Sequence, residues 1–129
     1  MHALIIEDEA LIAMAIEDAL RGCGFTSFDV AVSAEVAVKA AACRCPDLIT
    51  ADVELRPGCG IAAVQSICSE QPIPVLFITG SPGEVRIRMP GHAMVEKPFS
   101  TDHTLATIKL TLESRDSTCG GVHKVVKNG

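Results

Sequence analysis

Four short apolar runs in this chain each lead to a charged or hydroxyl-bearing side chain. Runs of this length, continuous and bounded by polar or turn residues, are typical of strands buried on both faces of a parallel sheet. The runs 3–6, 48–51, 75–78 and 93–95 lead to Glu7 and Asp8, to Asp52, to Thr79 and, through Glu96, to Lys97 and Pro98. Because the carboxyl ends of parallel strands share one edge, where ligands bind, the sequence predicts a site with three carboxylates, a hydroxyl and an ammonium group.

Segments with a helical spacing of apolar residues alternate with these strands. In the first of them Ile12, Ile16 and Leu20 recur at that spacing, while Ser33 and Ser100 are placed to cap later helices. Strands are predicted over about 3–7, 28–32, 48–52, 74–79 and 92–96, and helices over about 9–22, 34–44, 61–70 and 101–114. The alternation predicts an α/β sandwich with a parallel sheet and right-handed crossovers.

The segment 80–91 departs from this pattern. A fourth helix is expected there, but Pro82 and Gly83 restrict it to a short piece that begins near Glu84. We therefore expect this segment to be abbreviated or mobile.

Length and charge narrow the possible functions. The chain has 129 residues, which suits one domain, and we predict that domain over 1–115 with a flexible tail over 116–129. A formal net charge of −5 argues against direct nucleic-acid binding, which normally requires a basic patch.

No apolar stretch is long enough to span a bilayer and the N-terminus lacks the basic start of a signal peptide, so we predict a cytoplasmic location without membrane contact. The six cysteines show no CxxC spacing, which disfavours zinc or a redox dithiol.

Taken together and in this order, the strand-end residues carry a family resemblance. Glu7-Asp8, Asp52, Thr79 and Lys97-Pro98 each stand at the end of the appropriate strand, and over about 2–114 the chain resembles a two-component response-regulator receiver domain. The resemblance implies a flavodoxin-like (βα)5 three-layer sandwich with strand order 2-1-3-4-5. It also implies a divalent cation, Mg²⁺ or Mn²⁺, and phosphorylation of the central aspartate by a sensor histidine kinase or a phosphotransfer protein.

Three carboxylates account for the expected phosphoryl and metal chemistry. Asp52 is the predicted nucleophile, because a carboxylate can accept a phosphoryl group as an acyl phosphate. Clustered carboxylates repel one another unless a cation lies among them, and Mg²⁺ prefers oxygen ligands. The resemblance makes Asp8 and Asp52 direct ligands, Glu7 a water-mediated one and the backbone carbonyl of Glu54 another. The simpler alternatives are a loop-capping aspartate at Asp52 and, for the other pair, charges that favour a helix N-terminus.

The remaining two side chains are expected to handle the transferred group. Lys97 would pair with a phosphoryl oxygen, and the resemblance implies that its bond to Pro98 is cis, which would aim the lysine inward. Thr79 would offer its hydroxyl to the phosphoryl group and draw its loop along. The alternatives are a solvated lysine and an ordinary β-branched strand residue.

The chain departs from the family pattern at one position. The family usually carries an aromatic residue a few positions before the lysine, where this chain has Met94. A flexible thioether can fill a vacated space, but it lacks the ring of the usual switch. Together with the disruption at Pro82 and Gly83, this leads us to expect signalling by ordering or remodelling of the segment 80–91, an order–disorder route.

The stretch 74–80 with an early proline after it resembles the receiver halves of general-stress sigma-factor-mimic regulators, and also stand-alone receivers. That resemblance implies kinases of the histidine–tryptophan–glutamate type. Because no sigma-like domain is predicted in these residues, we expect a stand-alone receiver whose output acts through a separate, unidentified downstream protein.

Several functional alternatives stay open. The leading interpretation is a phosphoacceptor signalling protein with self-catalysed phosphotransfer and autodephosphorylation, which is not an enzyme in the ordinary sense. A phosphate-independent binding module and a phosphate sink in a branched phosphorelay are the alternatives, as is a dimer through the 80–115 face. A haloacid-dehalogenase type hydrolase is disfavoured, because that family places Asp-x-Asp near its first strand, whereas Asp52-Val53-Glu54 ends the third. Glu54 is expected to modulate the lifetime of the phosphate through the hydrolytic water.

Overall fold

Strands and helices alternate throughout the part of the chain that the structure describes. The computed structural model describes residues 1–55, 58–69, 71–114 and 118–119. The elements are β1 (His2–Ile6), α1 (Ala10–Gly22), β2 (Ser27–Ala31), α2 (Ala34–Cys43), β3 (Leu48–Ala51), α3 (Gly60–Cys68), β4 (Ile73–Thr79), α4 (Pro82–Arg88), β5 (Ala93–Glu96), α5 (Thr101–Ser114) and β6 (Thr118–Cys119). Of the tail predicted over 116–129, only the two residues of β6 belong to the described part, so that prediction lies otherwise outside the described residues.

The first five strands form one parallel sheet in the order β2-β1-β3-β4-β5. This order and the helices on both faces confirm the predicted flavodoxin-like sandwich. β6, which the sequence pattern did not predict, pairs antiparallel with the start of β4. The register sets Ile6 beside Ala51 and Thr79 beside Glu96, so the residues that follow these positions emerge together at the carboxyl edge.

Two aliphatic clusters fill the space between the sheet and its helices. Successive residues of β1 point to opposite faces, as in any strand. Ile5 therefore packs with Ile16 of α1 and Ile108 of α5, while Ile6 packs with Ile61 of α3 on the other face. All five residues of β1 are buried, which explains why the run 3–6 is continuous and apolar.

The structure confirms two predicted capping residues and corrects the predicted start of one helix. The hydroxyl of Ser33 accepts a hydrogen bond from the amide of Val36 (3.3 Å), and that of Ser100 accepts one from the amide of His103 (3.1 Å), so both predicted caps are confirmed. The predicted start of α4 near Glu84 is wrong, because the helix begins at Pro82. Proline is tolerated in the first turn, since its missing N–H would have no partner within the helix there. As predicted, α4 is short, with seven residues.

Among the described residues, no helix combines the length and apolar character that a bilayer-crossing segment requires.

Candidate functional site

The site begins where β1 and β3 end side by side. Just beyond the paired strand ends, the amide of Glu7 donates to the carbonyl of Ala31 (3.0 Å), and the amide of Asp52 donates to the carbonyl of Ile6 (3.0 Å). These two hydrogen bonds continue the parallel ladder by one residue on each strand. The backbone therefore fixes the carboxyl groups of Glu7 and Asp52 at the same edge, as the sequence analysis predicted.

Lys97 reaches this pair from the end of β5. Its ammonium group donates to Oε1 of Glu7 (2.9 Å) and to Oδ2 of Asp52 (2.9 Å), and its amide donates to the carbonyl of Thr79 (2.9 Å). The bond between Lys97 and Pro98 is cis, as the resemblance implied. One cation thus bridges two carboxylates that are 45 and 90 positions away in sequence.

Burial and charge act in opposite directions on these groups. Only 1% of Glu7 is exposed, and burial raises the pKa of its carboxyl despite the opposing effect of Lys97. For Lys97, burial alone would lower the pKa of the ammonium group. Its hydrogen bonds and charge interactions with Glu7 and Asp52 outweigh that effect, so the pKa is raised overall. The lysine therefore keeps its positive charge at neutral pH.

A third carboxylate makes the cluster able to hold a cation. One oxygen each from Glu7, Asp8 and Asp52 lie within 4.8 Å of one another. Lys97 supplies only one positive charge for these three carboxylates, so the negative charge that remains can be neutralised by a further cation. Carboxylate oxygens without nitrogen or sulfur ligands suit Mg²⁺ or Mn²⁺. The residues present therefore fit the divalent cation that the sequence analysis expected.

The cluster faces an open cavity of about 250 Å³. The cavity is lined by Asp8, Glu9, Asp52, Glu54, Gly80 and Lys97. A Cβ built on Gly80 would meet no atom within 4 Å, so this position leaves the cavity open. The volume is enough for a cation and several waters, or for a phosphoryl group, since one water occupies about 30 Å³ in the liquid.

Thr79 lies beside the cavity without lining it. The residue is fully buried, and its hydroxyl accepts a hydrogen bond from the amide of Ser81 (2.9 Å). The hydroxyl of Ser81 in turn donates to Oε2 of Glu54 (3.1 Å). A short chain of hydrogen bonds thus connects the end of β4 with the loop that follows β3.

Two residues of the site were missed in the sequence analysis. Glu9 lines the cavity, and Gly60 packs so tightly on the backbone of Asp52 that an added Cβ would collide with the carbonyl group of Asp52. The amide of Gly60 also donates to the carbonyl of Val53 (2.9 Å). The sequence signal was the pair Gly58 and Gly60 at the start of α3, but nothing in the local pattern indicates that Gly60 contacts Asp52.

Comparisons with known proteins agree with this geometry. A family model described as the response regulator receiver domain matches residues 3–109. The phyllosphere-induced regulator PhyR of Methylorubrum extorquens is 38% identical over 116 residues, which cover 84% of this chain and 42% of that protein. The transcriptional regulatory protein PdtaR of Mycobacterium tuberculosis is 34% identical over 115 residues, which cover 86% of this chain and 56% of that protein. The chain thus spans about half the length of these curated relatives.

Solved structures show the same likeness in three dimensions. The receiver domain of PhyR from Erythrobacter litoralis matches with a TM-score of 0.80 and 36% identity, covering 86% of this chain and 88% of that one. A Bartonella quintana protein described as the anti-anti-sigma factor PhyR matches with a TM-score of 0.76 and 35% identity, covering 89% of this chain and 48% of that one.

Proposed function

This chain belongs to the response regulator receiver domain family, and we propose that it accepts a phosphoryl group on Asp52 from a histidine kinase or a phosphotransfer protein. In the proposed step a carboxylate oxygen of Asp52 attacks phosphorus, the P–N bond of the donor phosphohistidine breaks, and the imidazole leaves and takes up a proton. The product is an acyl phosphate, which water later hydrolyses to regenerate the carboxylate. Receiver domains of this family are signalling domains, and the self-catalysed dephosphorylation is part of the proposal.

The observation that carries the proposal is the double contact of Lys97. Its ammonium group lies 2.9 Å from both Glu7 and Asp52, in a cavity that also exposes Asp8. An ammonium group has three N–H donors, so Lys97 can keep one contact with Glu7 while another donor binds a phosphoryl oxygen on Asp52. Its positive charge would offset the negative charge that the transferred group adds to the pocket.

The carboxylates have a second task in the proposed reaction. Glu7, Asp8, Asp52 and the backbone carbonyl of Glu54 would hold a divalent cation, Mg²⁺ or Mn²⁺. When bound, that cation would neutralise negative charge on the carboxylates and the phosphoryl oxygens. Asp8 is half-buried, so a cation bound to it can exchange with solvent, whereas Glu7 stays enclosed.

Phosphorylation would be transmitted through the end of β4. If the hydroxyl of Thr79 turned to a phosphoryl oxygen, its hydrogen bond with the amide of Ser81 would weaken. Ser81 is the residue that precedes α4. The seven-residue α4 is held by few buried side chains, with Val85 the buried one within it. We therefore propose that remodelling of 80–91 carries the signal to a separate downstream protein.

The similar proteins suggest the class of pathway. PhyR of Bartonella quintana is described as an anti-anti-sigma factor, and this chain matches about half of it. We propose that this receiver works in the cytoplasm in a related general-stress pathway. The exposed Ile87 of α4 and Leu110 of α5 support the 80–115 face as the contact surface for the partner or a second copy.

Incubation with acetyl phosphate and Mg²⁺, followed by intact-mass measurement, tests the proposed function. Wild type is expected to gain the mass of one acid-labile phosphoryl group, and Asp52→Asn is expected to gain none. Asp47→Asn, at the opposite edge of the sheet, is the matched control and should behave as wild type. Labelling of Asp52→Asn, or no labelling of any variant, would contradict the proposal, and the second result would favour the phosphate-independent module. Turnover of phosphate esters would instead indicate a hydrolase.

A further inference from the structure

His92, a half-buried histidine next to β5, has two ring nitrogens that are buried without hydrogen bonds. Among the residues that the structure describes, neither Nδ1 nor Nε2 of His92 has a partner, and both atoms are shielded from solvent. The imidazole instead meets the ring of Phe77 edge-on, with ring centroids 6.0 Å apart and an interplanar angle of 66°. Such a contact suits an aromatic ring, but it satisfies neither ring nitrogen.

The contacts of His92 join it to β4 and to the end of α4. Phe77, Val85 and Met89 belong to the same buried apolar cluster, and Met89 directly follows α4. The amide of His92 donates to the carbonyl of Met89 (3.3 Å), so the backbone of His92 is tied to the end of that helix. His92 therefore lies where α4, β4 and β5 meet.

His92 gives Phe77 an aromatic contact that the residue paired with Phe77 across the sheet does not. Met94 pairs with Phe77 in the register of β4 and β5, but a methionine has no ring to pack against it. His92, two residues before Met94 in sequence, provides the ring that packs against Phe77.

A buried polar group without a partner costs free energy equivalent to about a tenfold change in an equilibrium constant. Any arrangement of 80–91 in which a nitrogen of His92 reaches water or an acceptor is favoured by that factor. We propose that His92 acts as a positioning residue that destabilises the packed arrangement of α4 and so holds the segment close to its remodelled state. The inference rests on the proposed function, because 80–91 is the segment whose remodelling would carry the signal.

Hydrogen exchange of the unphosphorylated full chain tests this inference. In His92→Phe the ring contact with Phe77 is kept and the unpaired nitrogens are removed, so the amides of α4 are expected to exchange about tenfold more slowly than in wild type. His92→Leu is a second variant without nitrogens and without a ring, and it should slow exchange in the same direction. His103→Phe, at an exposed histidine of α5, is the matched control and should leave α4 unchanged. Amides of β1 report whether a variant has changed global stability instead.

The inference is overturned if α4 exchanges at the wild-type rate, or faster, in both His92→Phe and His92→Leu. It is also overturned if β1 slows by the same factor as α4, because the effect would then be global. The proposed function fails separately, through the absence of a phosphoryl group on Asp52. The His92 comparison would still be decided in that case, because it is made on the unphosphorylated protein.

Discussion

The amino edge and the carboxyl edge of the sheet both hold ionisable side chains, and they hold them in different ways. At the amino edge the ring of His2 hydrogen-bonds to Oγ of Ser27 (2.8 Å) and to Oδ2 of Asp29 (3.0 Å). The backbone of His2 is bonded in both directions to Asp47, through its amide to Oδ2 (2.7 Å) and through its carbonyl to the amide (2.7 Å). The ring and the backbone of His2 thus both have partners on a neighbouring strand or loop.

At the carboxyl edge the charges do not balance. Lys97 is shared between Glu7 and Asp52, and Asp8 adds a third carboxylate within 4.8 Å of the other two. The two edges belong to the same strands, since β1 begins at His2 and ends at Ile6. The difference shows that a closed hydrogen-bond network stabilises the fold at one edge, whereas the uncompensated negative charge at the other edge favours a bound cation.

Removing the lysine should affect the carboxyl edge most. Lys97→Ala leaves two carboxylates without their shared cation and removes the partner of the phosphoryl group, so phosphorylation by acetyl phosphate is expected to slow about 100-fold. Lys97→Arg keeps the charge with a different donor geometry and should fall between this variant and wild type. The rate of mass gain measures the effect.

Lys39→Ala is the matched control for this prediction. Lys39 forms an exposed pair with Glu35 (3.6 Å) on α2, and exposed pairs of this kind contribute little. A Lys97→Ala protein that is phosphorylated at the rate of Lys39→Ala would show that the double contact of Lys97 has no part in the reaction.

The next largest effect should be on the stabilisation of the protein by Mg²⁺. Mg²⁺ at about 100 times its dissociation constant should stabilise wild type by about 2.7 kcal/mol, seen as a rise of several degrees in melting temperature. Asp8→Asn should lose most of that rise, because one of the three clustered carboxylates becomes neutral. Without Mg²⁺ the same variant should melt at or above the wild-type temperature, because repulsion in the cluster is relieved.

Asp29→Asn provides the comparison at the amino edge. It removes a carboxylate that bonds to the ring of His2 and should keep the full Mg²⁺-dependent rise. An equal rise in Asp8→Asn and wild type would mean that the cation binds elsewhere, and no rise in wild type would mean that it does not bind.

The sequence predicted the carboxyl edge far better than the amino edge, for a physical reason. Strands buried on both faces are continuous apolar runs, so β3 and β4 were located within one residue, and parallel topology then brings their carboxyl ends together. The convergence of Glu7, Asp52 and Lys97 follows from that topology.

Contacts that depend on packing could not be predicted in the same way. Nothing local to His2 indicates that its ring meets two side chains of β2, and the close approach of Gly60 to Asp52 depends on how α3 docks. The two unpaired nitrogens of His92 likewise result from the packing of Phe77 and cannot be inferred from spacing.

Breaking the amino-edge network should cost stability and leave the proposed chemistry unchanged. Asp29→Ala leaves Nε2 of the buried His2 without its partner, which should reduce the free energy of unfolding by about 1 kcal/mol. The loss is limited because the side chain of Asp29 is 43% exposed. Urea unfolding measures it, with Asp18→Ala, at an exposed position of α1, as the control. A slower phosphorylation of Asp29→Ala would show that the two edges are coupled.

The smallest effect is expected at the rim of the cavity, where Glu54 accepts a hydrogen bond from Ser81. Glu54 is exposed and lies beside the space that a hydrolytic water must cross to reach Asp52, so its charge and its orientation should both influence the lifetime of the acyl phosphate. Glu54→Ala removes both the charge and the oriented side chain, whereas Ser81→Ala keeps the charge and frees only the orientation.

We expect each variant to change the dephosphorylation rate by about threefold, the scale of one partly exposed hydrogen bond. Loss of phosphate after removal of acetyl phosphate, followed by mass, measures the rate, with Glu35→Ala on the exposed face of α2 as the control. Because both variants break the hydrogen bond between Ser81 and Glu54 but only Glu54→Ala removes the carboxylate, a change in Glu54→Ala alone would assign the effect to the carboxylate, and wild-type rates in both would end the proposed role of Glu54.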